Sequence, residues 1–479
     1  MIKLKKITKV VKKMQKAPII ERIVDYLNTN PISCHTPGHK GGQFIPPPLN
    51  GKWPREVWQY DVTEIVNLDN LHYPTGCIKE AQNNIADLVN AKASYFLVNG
   101  TSVGIQAAIL ALAYNSPIFV PRNVHKSIYN AIVLANAEPI YLPIAFDENI
   151  GIPLGLEVEI LKKYIKKHPQ CKTIVITNPT YQGISYKIQE IVDLALANGF
   201  KIICDEAHGS HFFLHSELPP SALSLGAHIV VQSWHKTLPV LTQASILHLG
   251  HNYTGPDIAH YLNLLQTTSP SYLLMASLDS CQAFLRAEAK DILTLAVKKI
   301  RSYQERISLL DNLELYKTKN NLQMDPFKLC LSSPKVSGLE LAKLLREKYQ
   351  IYAEMAEENY CLLLLGIVIN DMTMYKLEES LIDLNGYLDD LPKSYKPTTR
   401  DKILIPTAKM LLREAFFSTK EKVSLDSALG RICGDYIIKY PPGIPLLVPG
   451  EVIDESVLNI LKKPGEGHKI EDHITVVQE

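Results

Sequence analysis

The chain has 479 residues, 46% of them hydrophobic, enough to bury a large core divided among two to four domains. With 50 basic side chains against 49 acidic ones its formal charge is +1, so no global field selects a nucleic acid or an anionic surface as partner. Eight cysteines lie scattered without a CxxC pair, which fits free thiols in a reducing, cytoplasmic setting rather than disulfides or a metal knuckle, and no apolar run is long enough to span a membrane.

Residues 1–30 read as a basic amphipathic helix, with Ile7, Val10, Val11 and Met14 at helical spacing, that packs on another element or subunit. They lack the apolar centre of a signal peptide. The run His35-Thr36-Pro37-Gly38-His39-Lys40-Gly41-Gly42 suits no regular element and is read as a loop. From Tyr60 to Tyr73 carboxylates and aromatics follow no period. Asp61, Glu64 and Asp69 are there either to bind a cation or simply to be solvated. A helix is expected over 79–91.

A short strand at 95–98 turns through Asn99-Gly100-Thr101-Ser102-Val103-Gly104 into an apolar helix. Free backbone N–H groups at a helix start, with two hydroxyls beside them, suit a phosphate on Gly100, Thr101 and Ser102. An ordinary capped helix is the plain alternative. The run is neither GxGxxG nor GxxxxGK[ST], so the pattern favours a single phosphate over a nucleotide. A second strand at 118–120 delivers His125 to the next strand-to-helix junction, where an imidazole either caps the helix or lies on a planar ligand.

Strands at 139–142 and 173–177 follow, the latter ending in Asn178-Pro179-Thr180-Tyr181-Gln182-Gly183. Next, Lys201-Ile202-Ile203-Cys204 ends in Asp205-Glu206-Ala207-His208. A carboxylate closing a buried strand is costly without a partner, and a protonated pyridine nitrogen is one. The same letters spell a helicase box, but that reading needs an upstream phosphate loop of a kind this chain lacks. The apolar run Ala227-His228-Ile229-Val230-Val231-Gln232 then leads to Ser233-Trp234-His235-Lys236-Thr237. Lys236 thus stands past the carboxyl end of a buried strand, where open α/β sheets bind ligands and where a lysine can condense with an aldehyde such as pyridoxal phosphate.

Beyond Thr267-Thr268-Ser269-Pro270 a helix is expected over 275–287. Charged helices at 294–309 and 337–349 then alternate with apolar strands such as 361–365, a linker is read at 391–400, a helix at 407–417, and a proline-rich extended segment at 440–451. The strand-and-helix alternation from about 94 to 240 predicts an α/β domain with a mostly parallel sheet.

Together these runs resemble the Orn/Lys/Arg decarboxylase family of the aspartate-aminotransferase fold, and most closely its short bacterial arginine or lysine decarboxylases without a wing domain. The matching stretches are HTPGHKGG (35–42), DVTEI and LDNLHYPTG (61–76), NGTSVG (99–104), PRNVHKSIYNA (121–131), NPTYQG (178–183), DEAHGSH (205–211), SWHKTLPVLTQAS (233–245), TTSPSYLLMASLD (267–279), and GRI with YPPGIPLLVPGE (430–451). The resemblance implies a pyridoxal-phosphate fold type I architecture, α/β, with a seven-stranded mostly parallel sheet. The expected division is an N-terminal arm at 1–60, a large domain at 61–290, a small α/β domain at 291–390 and a C-terminal α+β domain at 391–479.

It further implies decarboxylation of a basic L-amino acid, arginine to agmatine first and lysine to cadaverine next. An aminotransferase, another lyase on this fold, or an inactive cofactor-binding relative is the alternative. Carried over, the family roles put Lys236 on the cofactor aldehyde, Asp205 on the pyridine nitrogen and His125 on the ring face. Gly100, Thr101, Ser102, Ser233 and His235 would take the phosphate and His208 the phenolic oxygen. Lys236 or His235 would return the proton at Cα. The implied assembly is a homodimer with sites near the subunit boundary, or a higher oligomer built from it, with the 267–271 segment serving the neighbouring site. No metal, nucleic acid or membrane span is expected.

Overall fold

The computed structural model describes residues 16–319, 322–368, 370–392, 395, 405–439, 443–461 and 473–478. Ile7, Val10, Val11 and Met14 lie outside these residues, as does most of the linker read at 391–400. The helix Pro18–Asn28 begins on a proline, which lacks the N–H that a first turn leaves unpaired, and buries Ile19 and Ile23. Its Ile19 and Ile20 N–H groups donate to Asp279 Oδ2 at 2.8 and 3.2 Å, which docks the arm on the large domain.

Seven strands form the main sheet, in the order Ala93–Leu97, Ser245–Leu249, Ile229–Gln232, Lys201–Asp205, Thr173–Thr177, Pro117–Pro121, Glu138–Leu142. Runs such as Thr173–Thr177 and Ile229–Gln232 are buried along almost their whole length, as β-branched strands covered by helices on both faces should be. Ser245–Leu249 pairs antiparallel with both neighbours, and the other pairings are parallel. This strand was not expected from the sequence. Its insertion leaves the mostly parallel α/β expectation intact and gathers the loops after residues 97, 121, 177, 205 and 232 at one edge.

Where the sequence suggests separate helices at 275–287 and 294–309, one 36-residue helix, Tyr272–Ile307, runs unbroken, its start capped by Ser271. It buries Met275, Leu278, Leu285, Leu293, Val297 and Ile300 in a core shared with the following α/β unit. That unit holds a four-stranded antiparallel sheet, Glu314–Leu315, Lys328–Ser332, Cys361–Leu364 and Met355–Ala356, backed by the helices Gly338–Tyr349 and Asp371–Asp389. The C-terminal residues pair Lys420–Ser424 with His473–Val477 and Ile437–Lys439 with Ile444–Leu447 around their own core of Ala428, Cys433, Leu447, Ile453 and Val476. The helix expected at 407–417 is confined to Leu412–Phe417.

Two contacts bolt this last unit to the sheet. Lys126 N–H donates to Gly443 O at 3.1 Å. Arg122, fully buried, donates to Glu451 Oε2 at 2.7 Å, Leu446 O at 3.0 Å and Tyr129 Oη at 3.0 Å.

Candidate active site

Lys236 lies in the single-turn helix Trp234–Thr237, which the chain enters straight from the strand Ile229–Gln232. Its Nζ is 3.1 Å from His208 Nε2. Burial lowers the Lys236 ammonium from its ordinary range, against the opposing pull of Asp205 and Glu354. Burial also carries His208 well below the ordinary histidine value, helped by the charges of Lys236 and Lys328, so this imidazole is neutral. Asp205 is buried at the end of its strand, with Oδ1 accepting the Ala207 N–H at 3.2 Å.

His125 caps the helix Lys126–Ala135, its Nδ1 accepting the Ser127 N–H at 3.2 Å. That bond leaves the proton of the neutral ring on Nε2. The sequence left capping and ligand stacking as alternatives for His125. Capping is what the structure shows, and the capping ring also lines the pocket.

Thr101, His125, Asp205, His208 and Lys236 line one pocket, with Thr177, Thr180, Tyr181 and Gln182 completing a wall. Gly100 opens its helix at φ +74°, a conformation that favours glycine. Thr101 Oγ1 and the fully buried Ser233 Oγ are 2.9 Å apart, so the predicted phosphate groups do converge there. Ser102 and His235 stand differently. Ser102 is exposed on the first helical turn, His235 Nδ1 is bonded to Ala244 O at 3.1 Å, and neither lines the pocket.

Of the carboxylates read as cation receivers, Asp69 is committed to the fold, Asp61 has a histidine neighbour, and Glu64 keeps a buried Oε1 without a partner among the described residues. Asp69 accepts the backbone N–H groups of Asn70, Thr75, Gly76, Ile78 and Lys79, fastening the start of the helix Cys77–Val89, and Asp61 lies 3.1 Å from His39. Glu206, fully buried beside Asp205, receives four donors, from Asn178, Ala222, Ser221 and Gln232, so both its oxygens are committed to the fold. Gln232 is in turn locked by Trp234 Nε1–H and His248 Nε2, each 3.1 Å from its Oε1.

Several residues at the site had no role in the sequence reading. Tyr181 meets His208 edge-on, ring centroids 4.6 Å apart, and its hydroxyl donates to Glu354 Oε1 at 2.5 Å. Ile444, from the C-terminal unit, also lines the pocket. Lys328 is buried behind Tyr181. The signal for it was present in sequence, a cation opening the apolar run Leu329-Cys330-Leu331.

The chemistry of the lining fits a planar ring carrying an aldehyde, a basic nitrogen and a phosphate: an amine from Lys236, a carboxylate from Asp205, and the Thr101 hydroxyl backed by Ser233, while two buried polar atoms here, His208 Nδ1 and Thr177 Oγ1, have no partner among the described residues.

Comparison with known proteins agrees with this chemistry. The family described as Orn/Lys/Arg decarboxylase, major domain, matches residues 17–330, and its C-terminal domain matches 402–467. An arginine decarboxylase of Halalkalibacterium halodurans is 34% identical over 466 residues, covering 94% of each chain. One from Bacillus subtilis is 33% identical over 457 residues, covering 93% of each. In structure, the constitutive lysine decarboxylase of Escherichia coli superposes with a TM-score of 0.81 at 21% identity, over 97% of this chain and 82% of the other. That likeness bears on the fold, which is pyridoxal-phosphate fold type I.

Proposed function

Since the chain belongs to the Orn/Lys/Arg decarboxylase family and is an amino-acid decarboxylase, we propose that it converts arginine to agmatine and CO₂ with pyridoxal phosphate as cofactor. Lysine is the next substrate in order. The observation that carries the reading is the convergence of Lys236, His208, Asp205, His125 and Thr101 on one pocket. Bound there, pyridoxal phosphate supplies an aldehyde that condenses with amines and a conjugated ring that takes up the electron pair freed as CO₂ departs.

The rest of the work falls to side chains of this chain. Asp205, buried at its strand end, would hold a proton on the ring nitrogen and so stabilise charge where it develops. Thr101, Ser233 and the helix start at Gly100 would hold the phosphate, and His125, which lines the pocket, would contact the ring. Lys236 acts first as the nucleophilic amine, which its lowered basicity favours, and, after taking a proton from the incoming substrate ammonium, delivers it to Cα in place of the departed CO₂. His208 Nε2, 3.1 Å away, orients the Lys236 amine by a hydrogen bond. Because His235 is bonded to Ala244 O, we assign the proton at Cα to Lys236 rather than to His235. The substrate's cationic end meets Glu354, held by Tyr181 at the small-domain side of the pocket.

We also keep the four-part division of the chain, which the separate C-terminal core supports, and a homodimeric assembly. The dimer is supported by exposed Tyr73 and Leu264, which the bonds of His72 to Asn263 and Thr267 bring to one surface. A cytoplasmic setting is supported by eight free cysteines, and no helix among the described residues is long and apolar enough to cross a membrane. The decisive experiment is CO₂ release from cofactor-loaded protein given arginine, lysine and ornithine in parallel, with the amine identified. Agmatine from arginine is the expected outcome, and no CO₂ from any of the three refutes the reading.

A further inference from the structure

Asp325, just before the small-domain strand Lys328–Ser332, is fully buried and reaches two loops of the large domain at once. Its backbone N–H donates to Gly183 O at 2.8 Å, at the end of the loop that carries Tyr181 into the pocket wall. Its Oδ1 lies 3.2 Å from Nε2 of His211, which is also fully buried and ends the turn that carries His208. The approach to Gly183 is close. A Cβ there, at φ +93°, would come within 3.2 Å of Asp325 Cβ, and the pairing of Gln323–Met324 with Ile184–Ser185 fixes the same junction.

The two loops meet at His208. Tyr181 stands edge-on to its ring, centroids 4.6 Å apart, its Nε2 is 3.1 Å from Lys236 Nζ, and its Nδ1 has no partner among the described residues. The ring is therefore placed by Tyr181 on one side and by the turn beneath it. At one end of that turn Glu206 is held by four donors. At the other, the approach of Asp325 Oδ1 is the polar contact of the His211 ring, which otherwise packs against Phe212 and Phe327. Between them the Gly209 and Phe212 N–H groups donate to Glu206 O and Gly209 O, each at 3.0 Å, and a Cβ on Gly209 would come within 2.7 Å of Glu206 Cγ. A turn this tight moves as a unit, so releasing His211 displaces His208.

A buried carboxyl group needs partners, and Asp325 Oδ2 has none among the described residues. An apolar side chain would fill the same space at lower cost. We propose that Asp325 is a positioning residue: through its side chain on His211 and its backbone on Gly183, it sets the two loops between which His208 is held, and so aims His208 at Lys236. Reacting groups must stay within about 0.5 Å of their productive geometry, and a misplacement of about 1 Å can lower a rate about a hundredfold. The small domain thus bears on the reaction although none of its residues lines the pocket.

This inference rests on Lys236 being the reacting amine, so its test pairs a readout on apoprotein alone with one that includes the cofactor. Hydrogen exchange, read by mass spectrometry on peptides covering 206–212, should rise about tenfold or more in Asp325→Ala. It should stay near wild type in Asp325→Asn, which keeps the Oδ1 acceptor for His211 and for the Phe327 N–H. The second readout is the rate at which apoprotein condenses with pyridoxal phosphate, followed by stopped-flow absorbance in a double-mutant cycle with His208→Ala. Asp325→Ala should slow it about tenfold or more, Asp325→Asn should restore it, and in the His208→Ala background Asp325→Ala should change it about twofold at most. Absent slowing, or equal slowing in both backgrounds, overturns the proposal, because Asp325 then does not act through His208. So does unchanged exchange at 206–212, or an Asp325→Asn variant as slow as Asp325→Ala. If Asp325→Ala does not fold, judged by circular dichroism, His211→Phe removes the other side of the same contact while keeping an aromatic ring, and takes its place in the cycle. If the wild type does not condense with the cofactor, the decarboxylase reading fails, and the exchange readout alone decides the proposal.

Discussion

Replacing Glu451 by Ala should loosen the C-terminal unit from the sheet and disturb the pocket from a distance. Glu451 and Arg122 are both fully buried, and besides Glu451 the guanidinium has only the neutral acceptors Leu446 O and Tyr129 Oη. Removing one partner of such a pair leaves an uncompensated buried charge and costs about 3–5 kcal/mol. The same carboxylate accepts the Val448 N–H at 2.8 Å, so losing that acceptor adds to the penalty. Because the unit has its own core, the loss should appear as local opening rather than as global unfolding.

Hydrogen exchange read by mass spectrometry on peptides covering Ile444–Leu447 and Val448 is the suitable assay. Protection there should fall by about two to four orders of magnitude, while strands such as Thr173–Thr177 change little. Replacing both partners by apolar residues, Arg122→Met with Glu451→Leu, should recover most of the loss, since no unpaired charge then remains. Cofactor should also be held less firmly by Glu451→Ala, because Ile444 lines the pocket and Gly443 O receives the Lys126 N–H beside His125. Unchanged exchange in Glu451→Ala would refute the view that this pair fastens the unit.

Lys236→Ala should abolish CO₂ release and the visible absorbance of bound cofactor while circular dichroism stays native, since the side chain gives up one hydrogen bond, to His208. In the wild type, condensation of apoprotein with the cofactor should remain fast at pH values where free lysine is protonated, and slow as pH falls through the lowered Lys236 range, because only the neutral amine attacks. Stopped-flow absorbance follows this directly. Glu354→Gln should raise KM for arginine about tenfold or more with a smaller effect on kcat, as expected when one charge-assisted bond to the substrate tail is lost, and steady-state kinetics separates the two. Trp234→Ala should lower thermal stability by about 3–5 kcal/mol through the cavity left by a fully buried indole, while keeping the reacting groups and measurable turnover.

What lies within a few residues was legible in the chain itself. Buried β-branched runs read as strands because the 2.0-residue period and side-chain shape act locally. The Gly100-Thr101-Ser102 turn, Asp205 at a strand end and Lys236 just past another could be located for the same reason. Other features depend on which segments meet. Asp69, read as one carboxylate among several, is taken by the helix start at Cys77 because a buried row of free N–H groups outcompetes solvent for it. Ser102 and His235 are next in sequence to Thr101 and Lys236, which line the pocket, but Ser102 is exposed on its helical turn and His235 Nδ1 is bonded to Ala244 O, neither of which the sequence could show.

Tertiary structure alone decided that Ser245–Leu249 inserts antiparallel into the sheet, since an apolar five-residue run is compatible with either direction and only its two partners settle it. It likewise decided that Ile444, from the C-terminal unit, joins a pocket whose other lining residues come from the first, and that Lys328 and Glu354 of the small domain bond to Tyr181 in its wall. The physical reason is that burial and charge are properties of neighbours in space. A lysine that opens an apolar strand comes to back the pocket wall only once the small domain packs it against Tyr181 and Gly183.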